Sequence, residues 1–395
     1  MKLRSLVQIS GLLAVGITAA PYALPAQDVT TENVSESTTA VSKEELEAAV
    51  ARVKPSLVRI KVVEPNYYDG RESKFVSFGS GTIISADGYI VTNHHVAGKA
   101  VYLEVTMPNR EKISAELIGT DPATDIAVIK LKPEQPTTFP FAEFGNSDDV
   151  KVGDAVLALG SPMALSQSVT LGIVANTEMI TPESFGDYTF TLDGENVGEL
   201  VRWIGHDAAI FPGNSGGPLI DLQGKIIGVN EIGMALGGAI PGNLAKQVVD
   251  QIIKGGTVRR AYIGTSFQPL LKNSEKREGV LVNTVLKGSP AEKAGVKPGD
   301  VLMSINGTNI QGRFAEDLPG INQLVANLEI GKEAALDVVR DGQRQTIKVT
   351  PELRKPAFIP ETELREWGAS VRDVSMWTAL ELAREKAHGV LITSM

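Results

Sequence analysis

Between residues 44 and 254 the apolar positions recur mostly with a period of two. Ser56-Leu-Val-Arg-Ile-Lys-Val-Val63 alternates and is rich in β-branched residues, which suits a strand with one buried face. Gly79-Ser-Gly-Thr-Ile-Ile-Ser85 passes through Ala86-Asp-Gly88 into Tyr89-Ile-Val-Thr92, which predicts a hairpin. Asp125-Ile-Ala-Val-Ile-Lys-Leu131, Ala155-Val-Leu-Ala-Leu159 and Lys225-Ile-Ile-Gly-Val229 read as further short strands. Short strands separated by Gly and Pro turns predict an all-β barrel or sandwich. Over residues 245–254 the spacing becomes helical and Gly255-Gly256 stops it, so a first domain is expected over 44–256.

A second unit is expected over residues 258–353. Gly279-Val-Leu-Val-Asn-Thr-Val285 reads as a strand. Ser289-Pro-Ala-Glu-Lys-Ala-Gly295 reads as a short helix with Ser289 as its cap, Pro290 first and Gly295 closing it. Residues 321–328 have helical spacing, and 334–340 and 345–349 are expected to pair through Asp341-Gly342. From Thr362 this unit begins again: Trp367-Gly-Ala-Ser-Val371 echoes Tyr262-Ile-Gly-Thr-Ser266, and Gly389-Val-Leu-Ile-Thr-Ser-Met395 echoes Gly279-Val-Leu-Val-Asn-Thr-Val285. Residues 362–395 are therefore expected to be an incomplete copy, belonging to a protein with two such domains. A tail of this kind should be trimmed by protease between about residues 355 and 367.

The first residues change the setting. Lys2 and Arg4 precede an apolar run over 6–20 and then small residues, the pattern of a secretory signal over 1–26. The alternative is an uncleaved membrane anchor, and either places the bulk of the chain outside the cytoplasm. Residues 27–43 read as a flexible linker. The net charge of −9 disfavours non-specific nucleic-acid binding. The absence of cysteine excludes disulfides, thiolate nucleophiles and cysteine metal sites. No metal site and no cofactor is expected.

Gly213-Asn-Ser-Gly-Gly-Pro-Leu219 carries the most chemistry. A serine hydroxyl needs a base and a tight, exposed turn to act as a nucleophile. The glycines allow that turn, with the amides of Gly213 and Ser215 directed at a developing oxyanion. The base must be one of four histidines, at 94, 95, 206 and 388. His206 and His388 read as surface or capped residues. In Val91-Thr-Asn-His-His-Val-Ala-Gly98, alternation sends the two rings to opposite sides, so one of His94 and His95 is the base. Of Asp121 and Asp125, Asp121 precedes a proline in a turn, whereas Asp125 opens an apolar strand that would bury and fix its carboxylate. The resulting order, His then Asp then Ser, is the chymotrypsin-like one and agrees with the all-β reading.

These stretches, with Gly160-Ser-Pro, Asp207-Ala-Ala-Ile-Phe-Pro and Ala239-Ile-Pro, resemble the HtrA (Deg) family of serine proteases. The resemblance implies a mainly β chain: a chymotrypsin-like double β-barrel protease domain, a small α+β PDZ domain and an incomplete second PDZ-like segment. It selects His95, the histidine before the valine, so the implied triad is His95, Asp125 and Ser215. The family usually has asparagine where His94 and Phe211 stand, and residues 178–201 fall where its regulatory loop lies. The pocket floor implied six residues before the nucleophile is Ala209, which suits a modest aliphatic P1 residue. Asn230, Glu231 and Ile232 would form the edge that pairs with an extended substrate. Tyr262, Ile263, Gly264 and Thr265 would be the PDZ carboxylate loop. The implied activity is endoproteolysis of unfolded or misfolded extracytoplasmic proteins, in a homotrimer or higher multiple, with peptide C-termini bound by the PDZ domain. A non-catalytic chaperone or scaffold with a vestigial barrel is the alternative of a different class. A signalling protease would differ in substrate range alone.

Overall fold

The computed structural model describes residues 41–161, 167–181, 190–233, 236–270, 278–357, 359–382, 384 and 387–395. The expected export segment and most of the linker lie outside them. The first described element is a helix, α1 (Lys43–Val53), which the alternating pattern around it did not announce. Ser42 and Glu45 form a reciprocal capping box at its start, and Ala49 and Val53 bury its inner face. Ser42 and Lys43, expected in the linker, thus belong to ordered structure.

Two closed barrels of six strands follow. The first comprises β1 (Leu57–Asn66), β2 (Ser73–Ile83), β3 (Tyr89–Asn93), β4 (Tyr102–Thr106), β5 (Lys112–Asp121) and β6 (Ile126–Leu131), in the order β1-β2-β3-β6-β5-β4. Helix α2 (His94–Ala97) interrupts it after β3. Val58, Ile60 and Val62, the inward set of β1, are fully buried in its core with Ile83, Ile90 and Ile129. The period-two pattern is thereby accounted for: one face of each strand fills the barrel. The second barrel is built from β7 (Ala155–Gly160), β8 (Ser168–Met179), β11 (Trp203–His206), β12 (Pro218–Ile220), β13 (Ile226–Gly233) and β14 (Gly237–Pro241), in the order β11-β14-β13-β12-β7-β8. Between β8 and β11 lies a small hairpin, β9 (Thr191–Leu192) with β10 (Glu195–Asn196). Helix α3 (Gly242–Gly255) buries Ala245, Val248, Val249 and Ile252 and stops at Gly256, whose φ of 74° is left-handed.

The next unit contains β15 (Ala261–Tyr262), β16 (Thr265–Gln268), β17 (Val280–Val285), β18 (Val301–Ile305), β19 (Thr308–Asn309), β20 (Ala334–Arg340), β21 (Gln343–Val349) and β22 (Glu352–Leu353). Its main sheet runs β16-β17-β18-β20-β21, covered by α4 (Pro290–Ala294) and α5 (Leu318–Ala326). Ser289 caps α4 through Glu292 N at 3.2 Å, and Asp341 (φ 50°) and Gly342 (φ 79°) make the expected hairpin turn.

The tail forms β23 (Thr362–Leu364), β24 (Ala369–Asp373), α6 (Met376–Glu381) and β25 (Val390–Ser394), with the sheet order β23-β24-β25. Two backbone features of β24 resemble those of β16, in a register one residue from the pairing of Trp367 with Tyr262. Gly368 matches Gly264, both at positive φ. The irregularity between Ser370 and Val371 in the β24–β25 pairing matches that between Ser266 and Phe267 in β16–β17.

Candidate active site

The turn ahead of β6 presents Asp125. Thr124 N bonds Asp121 O and Asp125 N bonds Pro122 O, which curls residues 121–125 and leaves Asp125 at φ 52° with no exposed surface. The Asp125 carbonyl accepts from His94 N and from Asn93 Nδ2, each at 3.0 Å, and so ties this turn to the β3–α2 junction. Its carboxylate takes His95 twice: Oδ1 from the backbone N at 2.8 Å and Oδ2 from Nδ1 at 2.6 Å. An acceptor-only carboxylate selects the Nδ1–H tautomer, which leaves Nε2 as the basic nitrogen. Burial pulls the His95 imidazole down, but the charge and hydrogen bond of Asp125 outweigh it, with a contribution from Glu64, and hold it above the ordinary histidine value.

The two adjacent histidines do point apart, although a helical turn rather than strand alternation separates them. His94 is buried; its Nδ1 meets Thr120 Oγ1 at 2.7 Å and its Nε2 meets Asp193 Oδ2 at 2.9 Å, while Lys99 also pairs with Asp193. Asp193, in the β9–β10 hairpin, thus docks the segment after residue 190 beside the histidine pair.

Ser215 lies on the loop before β12, clamped between the barrels. Its carbonyl accepts from Ser80 N at 2.9 Å, and Ser80 Oγ donates to Gly213 O at 2.6 Å while accepting from Ser161 N at 2.8 Å. Gly216 N donates to Asn230 O, and Asn230 N to Gly217 O, each at 2.9 Å. Gly213 (φ 102°) and Gly216 (φ 83°) are left-handed, and a Cβ on Gly216 would stand 2.2 Å from Thr92 Oγ1. The Ser215 hydroxyl donates to the carbonyl of Glu231 at 3.3 Å.

The residues expected along a substrate edge divide. The backbone of Asn230 is engaged by the serine loop, and its side chain is buried, with Nδ2 donating to Pro218 O. It supports the loop that carries Ser215 rather than forming an open edge. Glu231 is buried too: its carboxyl accepts the indole N–H of Trp203 and faces Asp125. Burial, reinforced by the neighbouring Asp125, raises the Glu231 carboxyl well above the usual carboxylate range. Among the described residues the pairing of β12 with β13 ends at Val229, so no strand pairs with Ile232 and Gly233 on that side, while β14 pairs with them on the other. Ala209 is exposed and its carbonyl accepts from Thr170 Oγ1 at 2.9 Å.

His206, read from the sequence as a surface or capped residue, is fully buried on β11. A Cβ on Gly237 would stand 2.4 Å from its ring, so β14 needs glycine there for the imidazole to fit. The ring approaches the Ala208 backbone and the Asn230 side chain, which favour its charged form, yet burial outweighs them and lowers it to about 4. His388 is exposed, as expected. Asp121, read as a turn residue, also holds a buried ion pair with Arg260 and accepts from Thr124 Oγ1. The signal for Glu231 was present: an acid two residues past the end of the apolar run Ile226-Ile-Gly-Val229. Nothing in the order of residues could have paired Asp193 with His94.

Tyr262, Ile263, Gly264 and Thr265 line a groove of about 500 Å³ with Phe267 and Val325. Ile263 is buried and Gly264 sits at φ 83°. Leu200 closes the groove from the barrel side and Trp377 from the tail, with its ring edge-on to Tyr262 at 5.9 Å.

Comparison with known proteins places these features. The trypsin-like peptidase domain family matches residues 79–229 and the PDZ domain family residues 261–350. A probable periplasmic serine endoprotease DegP-like of Chlamydia trachomatis is 36% identical over 335 residues, covering 80% of this chain and 62% of that protein. A protein of the same description from Pseudomonas fulva is 40% identical over 294 residues, covering 71% and 57%. The chain thus spans less than two thirds of the length of these relatives. Among solved structures, the HtrA-type protease AlgW with a tripeptide matches with a TM-score of 0.66 and 31% identity, over 78% of this chain and 97% of that one. The serine endoprotease from Yersinia pestis matches with 0.58 and 29%, over 78% and 98%.

Proposed function

Since this chain belongs to the HtrA-type proteases, we propose that it is an exported, periplasmic serine endopeptidase working through His95, Asp125 and Ser215. The observation that carries the reading is the His95–Asp125 pair, joined by two hydrogen bonds to a buried carboxylate. The Ser215 hydroxyl leaves the Glu231 carbonyl and turns to His95 Nε2, which takes its proton as Oγ attacks the scissile carbonyl. The oxyanion is met by the amides of Gly213 and Ser215. The imidazolium then returns the proton to the leaving amine, and a water activated by the same nitrogen hydrolyses the acyl-enzyme.

Unfolded or misfolded proteins suit such a site, because an extended chain can pair with the open side of Ile232 and Gly233, with Glu231 contributing backbone alone. Ala209 brings no acid to the P1 pocket, so Val, Ile or Ala is favoured there over Lys or Arg. The loop over residues 262–265 would take a peptide C-terminus on its backbone amides, and a homotrimer or higher multiple completes the proposal.

Casein digestion by the wild type and by Ser215→Ala tests the reading. A loss of about 10⁴-fold or more with an unchanged thermal melt is expected. Turnover by the Ser215→Ala protein would remove Ser215 from the mechanism, and no hydrolysis by the wild type would reject the reading in favour of a scaffold. Mass spectrometry of the digest reads P1, and a basic preference would reject the pocket assignment.

A further inference from the structure

Glu231 is buried behind the residues assigned above as the triad, and its surroundings restrict its charge. One oxygen, Oε2, accepts the indole N–H of the fully buried Trp203. The other, Oε1, is buried with no hydrogen-bond donor among the described residues. The carboxylate of Asp125 lies within hydrogen-bonding reach of this carboxyl. Two ionised carboxylates facing each other away from water would repel strongly, and a buried acceptor without a donor is costly. Asp125 is the partner that must keep its charge, because it already accepts two N–H groups from His95.

We propose that Glu231 stands protonated beneath the triad and donates its hydrogen bond to the Asp125 carboxylate, acting as a positioning residue for His95. Trp203, Glu231, Asp125 and His95 then form one line in which each acceptor oxygen has a donor. The groups facing Glu231 agree with this assignment. Asp125 comes from the turn before β6 and His95, behind it, from α2; β11 offers the neutral indole of Trp203; β14 brings Gly238 and Ala239 alongside. Burial and the charge of Asp125 oppose the ionised form of Glu231 and outweigh the Trp203 hydrogen bond that favours it.

The inference rests on the triad reading, and its test separates the two. Glu231→Gln keeps the shape, with an amide that donates to Asp125 and accepts from Trp203. It should retain kcat within about threefold and leave the acid limb of kcat/KM unmoved, since a neutral group replaces a neutral group. If Glu231 were ionised, the substitution would remove a negative charge beside the pair and move that limb down by about one pH unit or more, which would overturn the proposal. Glu231→Leu removes the donor and should lower kcat by about 10- to 100-fold with KM little changed; wild-type kcat in this variant would also overturn it. If Glu231→Leu does not fold, the Gln titration decides alone. The His95 Nδ1–H resonance, titrated by NMR in Ser215→Ala with and without Glu231→Gln, reads the same charge without turnover. An unmoved titration in a chain whose wild type is inactive would reject the triad reading and keep this one.

Discussion

Asp125 adopts a left-handed backbone conformation, φ 52°, that costs a non-glycine residue about 1–2 kcal/mol. The bonds its carbonyl and carboxylate make with Asn93, His94 and His95 offset that cost and aim the carboxylate at one ring. His95→Ala should therefore lose about 10⁴-fold in casein hydrolysis. His94→Ala should stay within about tenfold of wild type, because the ring of His94 faces Thr120 and Asp193 instead; the reverse pattern would exchange the two roles. The raised His95 value should place the acid limb of kcat/KM above the pH at which free histidine titrates. His206 carries the opposite sign. Its folded value of about 4 lies below the unfolded 6.5, so the neutral ring contributes stability that is complete above pH 6.5. That contribution falls as pH drops and is gone below about pH 4, for a total of about 3 kcal/mol. Urea melts of wild type and His206→Phe from pH 7.5 to 4 should converge on acidification, and parallel curves would refute the assignment.

At the scale of elements, buried charge pairs fasten loops that hydrophobic patterning leaves free. Arg260, just ahead of β15, reaches back to Asp121 at the start of the turn that presents Asp125. Both partners are buried, so Arg260→Ala leaves a carboxylate unpaired inside the protein at a cost of about 3–5 kcal/mol. Such a variant should unfold several degrees lower and lose kcat more than KM, as the 121–125 turn loosens. A melt and kcat equal to wild type would show that Thr124 alone suffices to hold Asp121. Asp193 does similar work for the β9–β10 hairpin, through His94 and Lys99.

The whole molecule brings its parts closer than their order in the chain suggests. Residues 354–357 follow the barrel surface: Arg354 pairs with Glu195 and Glu199, and the Ala357 amide bonds Glu195 Oε1 at 3.3 Å. The tail then rests on the turn between β1 and β2, where Ser394 Oγ accepts from Gly70 N at 3.0 Å and donates to Tyr67 O. Gly70 leaves no space for a side chain there, since a Cβ would stand 2.0 Å from Gly368 O. Rapid trimming expected between residues 355 and 367 should accordingly concentrate at 359–367, past the anchored stretch. Gly70→Val should release the tail and speed its removal, with the barrels and residues 258–353 surviving in the gel. Equal trimming rates in the two proteins would show that this contact does not hold the tail.

Patterning along the chain determined the strand-rich barrels, helix α3, the capped helix α4 and the Asp341-Gly342 hairpin, because each depends on neighbours within a few residues. The glycine turn around Ser215 and the burial of Asp125 were legible for a related reason: a glycine turn and an acid opening an apolar strand are local statements about backbone and burial. The helix α1 was missed because it is short and weakly apolar, and its signal is a cap rather than a period. What only the tertiary structure decided lies in contacts between distant segments. The pairing of His94 with Asp193, of Asp121 with Arg260 and of Glu231 with Trp203 and Asp125 joins residues 28 to 139 positions apart or faces them across two barrels. The charge state of a buried side chain depends on which groups surround it in space. A linear sequence names those groups, and barrel closure alone brings them together.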